Sequence, residues 1–349
     1  MKILFLYSEV MGYTLGVLKA LVQEHSCSIY LVYWDKKKKT PFQIDSHIGV
    51  TLYPRSQFTN ANAIYSWASS IQPDLVYISG RMDSAYLQVS LKLKKKGIPI
   101  VSGLDNQWKG SLRQYAASFF AHYFYKRYFD YLWVPGPLQY AYALRLGYKP
   151  AAIIQNLYSA DTALFTSKEE SQSSNTETRT LLFVGRLDPV KGIEAAIHSF
   201  IRMQAQSRYN WNFKVIGSGP LEGKLPMHST IEYIPFLQPS ALSAVVRDST
   251  VFILPSVQEP WGVVVHEMAA AGLPLLCSDA VGANTSFLID GYNGSIFRSN
   301  NASDLDEKML RILNRPIDEL DKMGENSQLL SQRITPEIAA YSIISIVKK

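Results

Sequence analysis

The chain has 349 residues, too long for one ordinary core, so two domains are expected. Its 47% hydrophobic and 18% charged content describes a soluble globular protein. Its two cysteines, Cys27 and Cys277, are too few for a disulfide framework and too far apart for a metal-ligand motif, which leaves two ordinary thiols in a reducing compartment.

The N-terminus, MKILFLYSEV, stops its apolar run at Ser8 and Glu9, short of a signal peptide. No uninterrupted apolar stretch elsewhere is long enough to span a bilayer, so a cytoplasmic location is expected. The net charge of +6 is uneven: residues 1–155 carry 18 Lys+Arg and 8 Asp+Glu, whereas 156–349 carry 17 and 21. The basic half suits an anionic membrane surface or an anionic substrate, and a solvated basic surface accounts for it equally well. No nucleic-acid recognition module accompanies the charge, and no nucleic-acid partner is expected.

KILFLY, CSIYLVYW, DLVYIS, IPIVSG and YLWVPG read as buried strands, with helices over 15–24, 84–96 and 137–146 between them. Such alternation predicts a parallel sheet covered on both faces. The run Lys36–Lys39 reads as a solvated loop, and Lys94–Lys96 close a helix where cations suit its dipole. The stretch SFFAHYFYKRYFDYLWV, 118–134, is read as a core helix followed by a buried strand. An interfacial membrane helix is the other reading, and it would favour a lipid-linked acceptor.

At 166–178 the text becomes TSKEESQSSNTET, which has no apolar residue and reads as a solvated linker or mobile loop. The alternation then restarts with TLLFVG, NFKVIG, IEYIPF, VFILPS, LPLLCS and GSIF. The expected division is an acceptor-binding Rossmann-like domain over 1–157, a linker over 158–178 and a second Rossmann-like domain over 179–334. A C-terminal helix over 335–349 crosses back to the first domain. The default site is a central cleft between the halves, at the carboxyl ends of the strands.

Three constellations carry chemistry. In LLFVGRLDPVKG, 181–192, a strand ends at Gly185, and Arg186 and Lys191 follow in a loop that opens a helix. Free backbone N–H groups, a bidentate arginine and a lysine together suit a diphosphate. In FKVIGSGPLEGKL, Gly217 and Gly219 let backbone approach a ligand closely, although a plain turn reads the same way. In ILPSVQEPWGVVVHEMAAAGLP, Glu259 is expected to cap a helix that begins at Pro260, runs through Val263 and Glu267 to Ala271 and stops at Gly272. If that span were fully helical, the two glutamates would be separated by a rise of roughly 12 Å. Carboxylates suit vicinal hydroxyls, so one could hold a sugar and the other a ribose.

At this point the chain resembles the family-four retaining glycosyltransferases (glycosyl transferases group 1) of GT-B fold. The resemblance rests on VGRLDPVKG, IGSGPLEGKL, EPWGVVVHE, DAVGANTSFLIDGYNGSIF and IIQNLYSADTALF. It covers about 151–300 strongly and 1–150 weakly. It implies a nucleotide-sugar donor and transfer of a hexose-type sugar to a glycan or lipid-linked glycan acceptor, as in surface polysaccharide synthesis. It implies Arg186 and Lys191 on the donor diphosphate, Glu267 on the ribose and Glu259 near the transferred sugar. Pro260, Trp261 and Gly262 would line the sugar and phosphates, with Gly185, Gly217, Gly219 and Val263 beside them. Pro235, Phe236 and Leu237 would border the nucleobase. No cofactor is expected, and no metal: Asp304 and Asp306 begin a helix, where acids are ordinary.

The sequence departs from the family pattern at Ala283 and Ser286, where a glycine and a glutamate are common, and at Leu157, where a glycine is common. The glycine-rich loop after the first strand is reduced to Gly12 and Gly16. A histidine common late in the first domain has no counterpart, and VSGLDNQWKGS stands there, with Asp105 and Asn106. Asp105 is the candidate for an acceptor contact or base, and Asn106 and Gly12 for an acceptor or phosphate loop. Asp105 serves equally well as a strand-end residue holding its own turn. A nucleotide-sugar epimerase on the same fold and a non-catalytic partner subunit are the alternatives.

Overall fold

The computed structural model describes residues 1–36, 42–44, 49–166 and 178–347. Most of the Lys36–Lys39 loop and of the expected linker, 167–177, lies outside the described residues. The chain divides into two compact units, Met1–Ser159 with Ile334–Lys349, and Ala160–Arg333. Of the segment expected as linker, Tyr158 and Ser159 fall in the first unit and Ala160–Thr166 in the second. Thr162–Thr166 is helical and packs on the helix Val263–Ala270 of the second unit, because Thr162 and Phe165 are buried there.

Among the described residues the first unit holds seven parallel strands: β1 Lys2–Tyr7, β2 Ser28–Tyr33, β3 Thr51–Pro54, β4 Leu75–Ile78, β5 Ile100–Gly103, β6 Tyr131–Trp133 and β7 Ile153–Ile154. They run in the order β3-β2-β1-β4-β5-β6-β7. Five of these are the apolar runs read from the sequence. Thr51–Pro54 and Ile153–Ile154 escaped because an edge strand needs no continuous apolar run. In β4 and the adjoining β1 almost every side chain is buried, as expected for a sheet covered on both faces. The C-terminal helix Pro336–Ile344 belongs to this unit and packs on the helix Gly12–Gln23. Asn156 donates to Ser342 Oγ at 3.2 Å.

The described residues of the second unit form six parallel strands: β8 Thr178–Val184, β9 Asn210–Ile216, β10 Ile231–Ile234, β11 Val251–Leu254, β12 Leu275–Ser278 and β13 Gly294–Phe297. Their order is β10-β9-β8-β11-β12-β13. Strand order thus reverses between β1 and β4 in one sheet and between β8 and β11 in the other. Chain connections leave to opposite faces on either side of such a point, which opens a crevice at the carboxyl ends of the strands.

His266 closes the second unit. It is fully buried and stacked on Phe287 with ring centroids 4.0 Å apart. Its Nδ1 accepts from the Ala160 amide at 3.0 Å, and its Nε2 lies 2.9 Å from the Ser331 carbonyl. One neutral ring therefore ties the start of the unit to its end. Cys27 and Cys277 are both buried, and burial pushes the Cys277 thiol up. Among the described residues no helix is long and apolar enough to cross a membrane.

Glycines set the spacing of the strand-end loops. Gly192 has a φ of +67°, and a Cβ there would overlap the Pro255 carbonyl at the end of β11. Gly223 shares the left-handed backbone, with a φ of +72°, but a Cβ there meets nothing within 4 Å. Gly192→Ala is expected to lower the melting temperature of the second unit well beyond Gly223→Ala, by more than about 2 kcal/mol in unfolding free energy. Equal melting temperatures for the two variants would remove the close approach as the reason for glycine at 192.

Candidate active site

In the second unit the predicted residues gather on three strand-end loops. The first leaves β8 at Gly185, whose amide donates to the Ile216 carbonyl at 3.0 Å. Arg186 follows, half exposed, its guanidinium 2.9 Å from the Asp188 carboxylate. Asp188 also accepts from the Val190 amide at 3.2 Å and so starts the single turn Pro189–Lys191. The second loop leaves β9 at Gly217. A side chain there would overlap the Gly185 carbonyl, and one at Gly219 would stand 2.5 Å from the Leu187 carbonyl. The Leu187 amide donates to Ser218 O at 3.0 Å, so the two loops are laced together through backbone.

The third loop leaves β11 and carries Ser256 to Gly262. Its Val257 amide donates to the Val190 carbonyl at 2.9 Å, which joins it to the first loop. That contact delivers Lys191 Nζ directly onto Glu259 Oε2, with both side chains mostly buried. Ser256 Oγ lies 3.4 Å from the same carboxylate oxygen. The sequence did not foresee the pairing, because 68 residues separate its partners.

The helix expected from Pro260 begins instead at Val263. Glu259 is extended and bridges to Val281, and Gly262 takes a left-handed φ of +94°, so neither Glu259 nor Pro260 is helical. A Cβ on Gly262 would meet the Glu259 side chain at 3.0 Å, which explains the glycine. The rise of a continuous helix therefore does not set the separation of Glu259 and Glu267. The loop is instead pinned by the segment after β12. Gly282 N donates to Glu259 O at 3.0 Å, and Ala283 N donates to Trp261 O at 2.9 Å. The departure at Ala283 is harmless to this support, since its backbone N–H makes the bond. Trp261 is buried against Phe287, while its indole Nε1–H has no hydrogen-bond partner among the described residues.

Glu267 lies on the helix Val263–Ala270, next to His266. Burial raises its carboxyl from 4.5 to about 7, and the Asp161 carboxylate adds to the effect. Asp161 comes from the segment the sequence treated as linker, and its role near Glu267 was missed for that reason. Phe236 and Leu237 follow β10, and the Phe236 amide donates to Ser218 Oγ at 3.3 Å. Asp304 and Asp306 are occupied by surface arginines: Asp304 accepts from the Arg298 amide at 2.6 Å, and Asp306 lies 2.8 Å from Arg202. Among the described residues no group of three or more His, Cys, Asp and Glu could hold a metal ion.

In the first unit, Asp105 and Asn106 line a cavity of about 730 Å³ at the ends of β1, β4 and β5. Asp105 accepts from Tyr158 OH at 3.4 Å, and Asn106 Nδ2 lies 3.4 Å from its other oxygen. Tyr7, Tyr77 and Tyr158 form the floor, and burial holds all three phenols above their ordinary value. Gly12 does not line this cavity; it opens the helix Gly12–Gln23, and its neighbours Met11 and Tyr13 reach the wall instead. Sequence reading passed over Tyr7 and Tyr77 as strand residues, although both stand toward the carboxyl ends of their strands, β1 and β4.

The adjacent titrations of His266 and Glu267 oppose each other. Burial holds His266 down at about 4 from 6.5, so its contribution is present above 6.5 and lost as pH falls through 4. Glu267, held up at about 7, contributes stability below 4.5 that is lost as pH rises through 7. Glu267→Gln is therefore expected to melt at a temperature that climbs relative to the native protein as pH rises from 4.5 to 7. Thermal melts over that range provide the check, and a pH-independent difference would mean Glu267 is ionised throughout.

Residues 165–329 match the family described as glycosyl transferases group 1. An uncharacterized glycosyltransferase of Methanocaldococcus jannaschii is 32% identical over 175 residues, 48% of this chain and 47% of that protein. D-inositol 3-phosphate glycosyltransferase of Corynebacterium efficiens is 26% identical over 180 residues, 44% of this chain and 42% of that one. The chain thus matches about half the length of these curated relatives. In structure it is similar to Anabaena HepE, solved in complex with UDP and glucose, at a TM-score of 0.75. The match covers 100% of this chain and 99% of that one at 15% identity, a likeness of fold, the two Rossmann-like units called GT-B. Over residues 165–329 the chain is therefore similar to the glycosyl transferases group 1 family.

Proposed function

We propose that the protein is a metal-independent, retaining glycosyltransferase. It moves a hexose-type sugar from a nucleotide diphosphate sugar to a glycan or lipid-linked glycan of a surface polysaccharide. The observation that carries this reading is the Lys191–Glu259 pair, seated where three strand-end loops meet. A diphosphate offers Lys191 a doubly charged partner in place of one carboxylate. It frees Glu259 to accept hydrogen bonds from the sugar hydroxyls. Arg186, half exposed beside Asp188, adds a bidentate grip on the same group. Charge builds on the diphosphate as it leaves, and these two cations oppose that build-up, usually the largest electrostatic task in such transfers.

The departing diphosphate takes the acceptor proton as the acceptor oxygen attacks from the face of departure, so no dedicated base is required. Asp105, on the first unit, is the candidate acceptor contact. The ribose hydroxyls donate to Glu267 and replace the water that burial has removed from it. Since HepE was solved with UDP and glucose, a UDP-sugar is the first donor to test.

Melting of the protein with nucleoside diphosphates provides the direct test. UDP or another nucleoside diphosphate is expected to raise the melting temperature, and Lys191→Ala to abolish the rise. If none of the common nucleoside diphosphates shifts the melt, the donor site is misassigned. The Glu267 carboxyl supplies a second prediction. Hydroxyl donors favour its ionised form, so affinity for the nucleotide is expected to grow as pH rises through about 7. Calorimetric titrations of the native protein and Glu267→Gln should diverge with pH, and parallel curves would take the ribose away from Glu267.

A further inference from the structure

The segment between Asp105 and Asp130 turns five aromatic residues outward. The helix Leu112–Phe119 has no buried residue. Leu112 is 88% exposed and Phe119 83% exposed, and Tyr115 lies between them at helical spacing. Phe120, Tyr123 and Phe124 continue the exposed surface, while Ala121, Tyr125 and Phe129 hold the segment to the core. The expectation of a core helix over 118–134 is therefore met only by that inner row and by β6. Exposed aromatic surface of this extent on one short segment marks an interaction site.

Charge selects the occupant. From Asn106 to Phe129 there is no Asp or Glu, and the segment carries Lys109, Arg113, Lys126 and Arg127. Lys109, Arg113 and Arg127 are exposed alongside the rings. A second copy of the chain meeting this face on a two-fold axis would set like charges against each other. A bilayer with anionic headgroups satisfies both features, because aromatic rings and leucine enter the acyl boundary while the cations stay at the phosphates. The surface also runs into the first-unit cavity, since Phe124, half exposed, lines its wall, as does Met82 at 63% exposure.

We propose that residues 108–127 form a docking surface for an anionic membrane, with the mouth of the first-unit cavity at its edge. This rests on the first unit alone and does not depend on the donor reading. The test is flotation of the full chain, without nucleotide, on two kinds of vesicle: phosphatidylcholine, and phosphatidylcholine with about one-third phosphatidylglycerol. Recovery with the anionic vesicles is expected to exceed that with neutral ones by about tenfold or more, and to collapse near 1 M salt, where the Debye length falls to about 3 Å. Leu112→Ser with Phe119→Ser, and separately Lys109→Glu with Arg113→Glu and Arg127→Glu, should each lose at least about tenfold. All these side chains are exposed, so unchanged melting temperatures are expected and confirm folding.

Equal recovery on both vesicles, or variants that float like the native protein, would overturn the proposal. So would a concentration-dependent dimer abolished by Leu112→Ser with Phe119→Ser in the absence of vesicle binding, which would make a second copy the occupant. A native protein that floats but gains no stability from nucleoside diphosphates would sink the donor reading and leave this one standing.

Discussion

The loops that leave β8, β9 and β11 approach one another so closely that Gly192 and Gly217 have no room for a side chain. The candidate site depends on this approach. Backbone bonds from Leu187 to Ser218 and from Val257 to Val190 lace the loops, and the Lys191–Glu259 contact follows from the lacing. Long side chains would normally lose rotamer freedom to make such a pair. Here the backbone has already set their anchor points. The loop bearing Glu259 is braced from the other side by the amides of Gly282 and Ala283, so its shape is held by groups that carry no charge of their own.

Burial then divides the polar groups behind the loops. His266 and Glu267 are neighbours in sequence on one helix, yet they meet different surroundings. His266 finds a partner for each ring nitrogen, and neutrality suits both bonds. Glu267 faces lost water and the Asp161 carboxylate, which together favour its protonated form. His266, fully buried with both ring nitrogens paired, is thus a structural clasp, whereas the Glu267 carboxyl is held up by its surroundings.

The first unit uses its aromatic residues in two ways. Tyr7, Tyr77 and Trp133 pack edge and face behind the cavity, their rings 5.5 to 5.7 Å apart. Gly103 is required there, since a side chain would press on Tyr77 Oη at 2.5 Å. The rings of Tyr115, Phe119, Phe120, Tyr123 and Phe124 instead lie outside the core.

Much of the fold was legible in the chain because burial on both faces of a parallel sheet writes continuous apolar runs, as in β1, β4, β8 and β11. The order of VGRLDPVKG, IGSGPLEGKL and EPWGVVVHE likewise carried the family resemblance of the second unit, and loops that approach one another this closely need glycine at set places. The edge strands Thr51–Pro54 and Ile153–Ile154 left no such mark, being half-solvated or only two residues long. Proline at 260 read as a helix start, but the bridge of Glu259 to Val281 outweighed that local preference and delayed the helix to Val263. The sequence by itself determined which residues are apolar, charged or free to turn, because these are properties of single side chains. Only the tertiary structure decided that Lys191 meets Glu259, that Asp161 stands by Glu267 and that Phe119 faces outward. Those facts depend on contacts between distant segments and on which side of a helix the core lies.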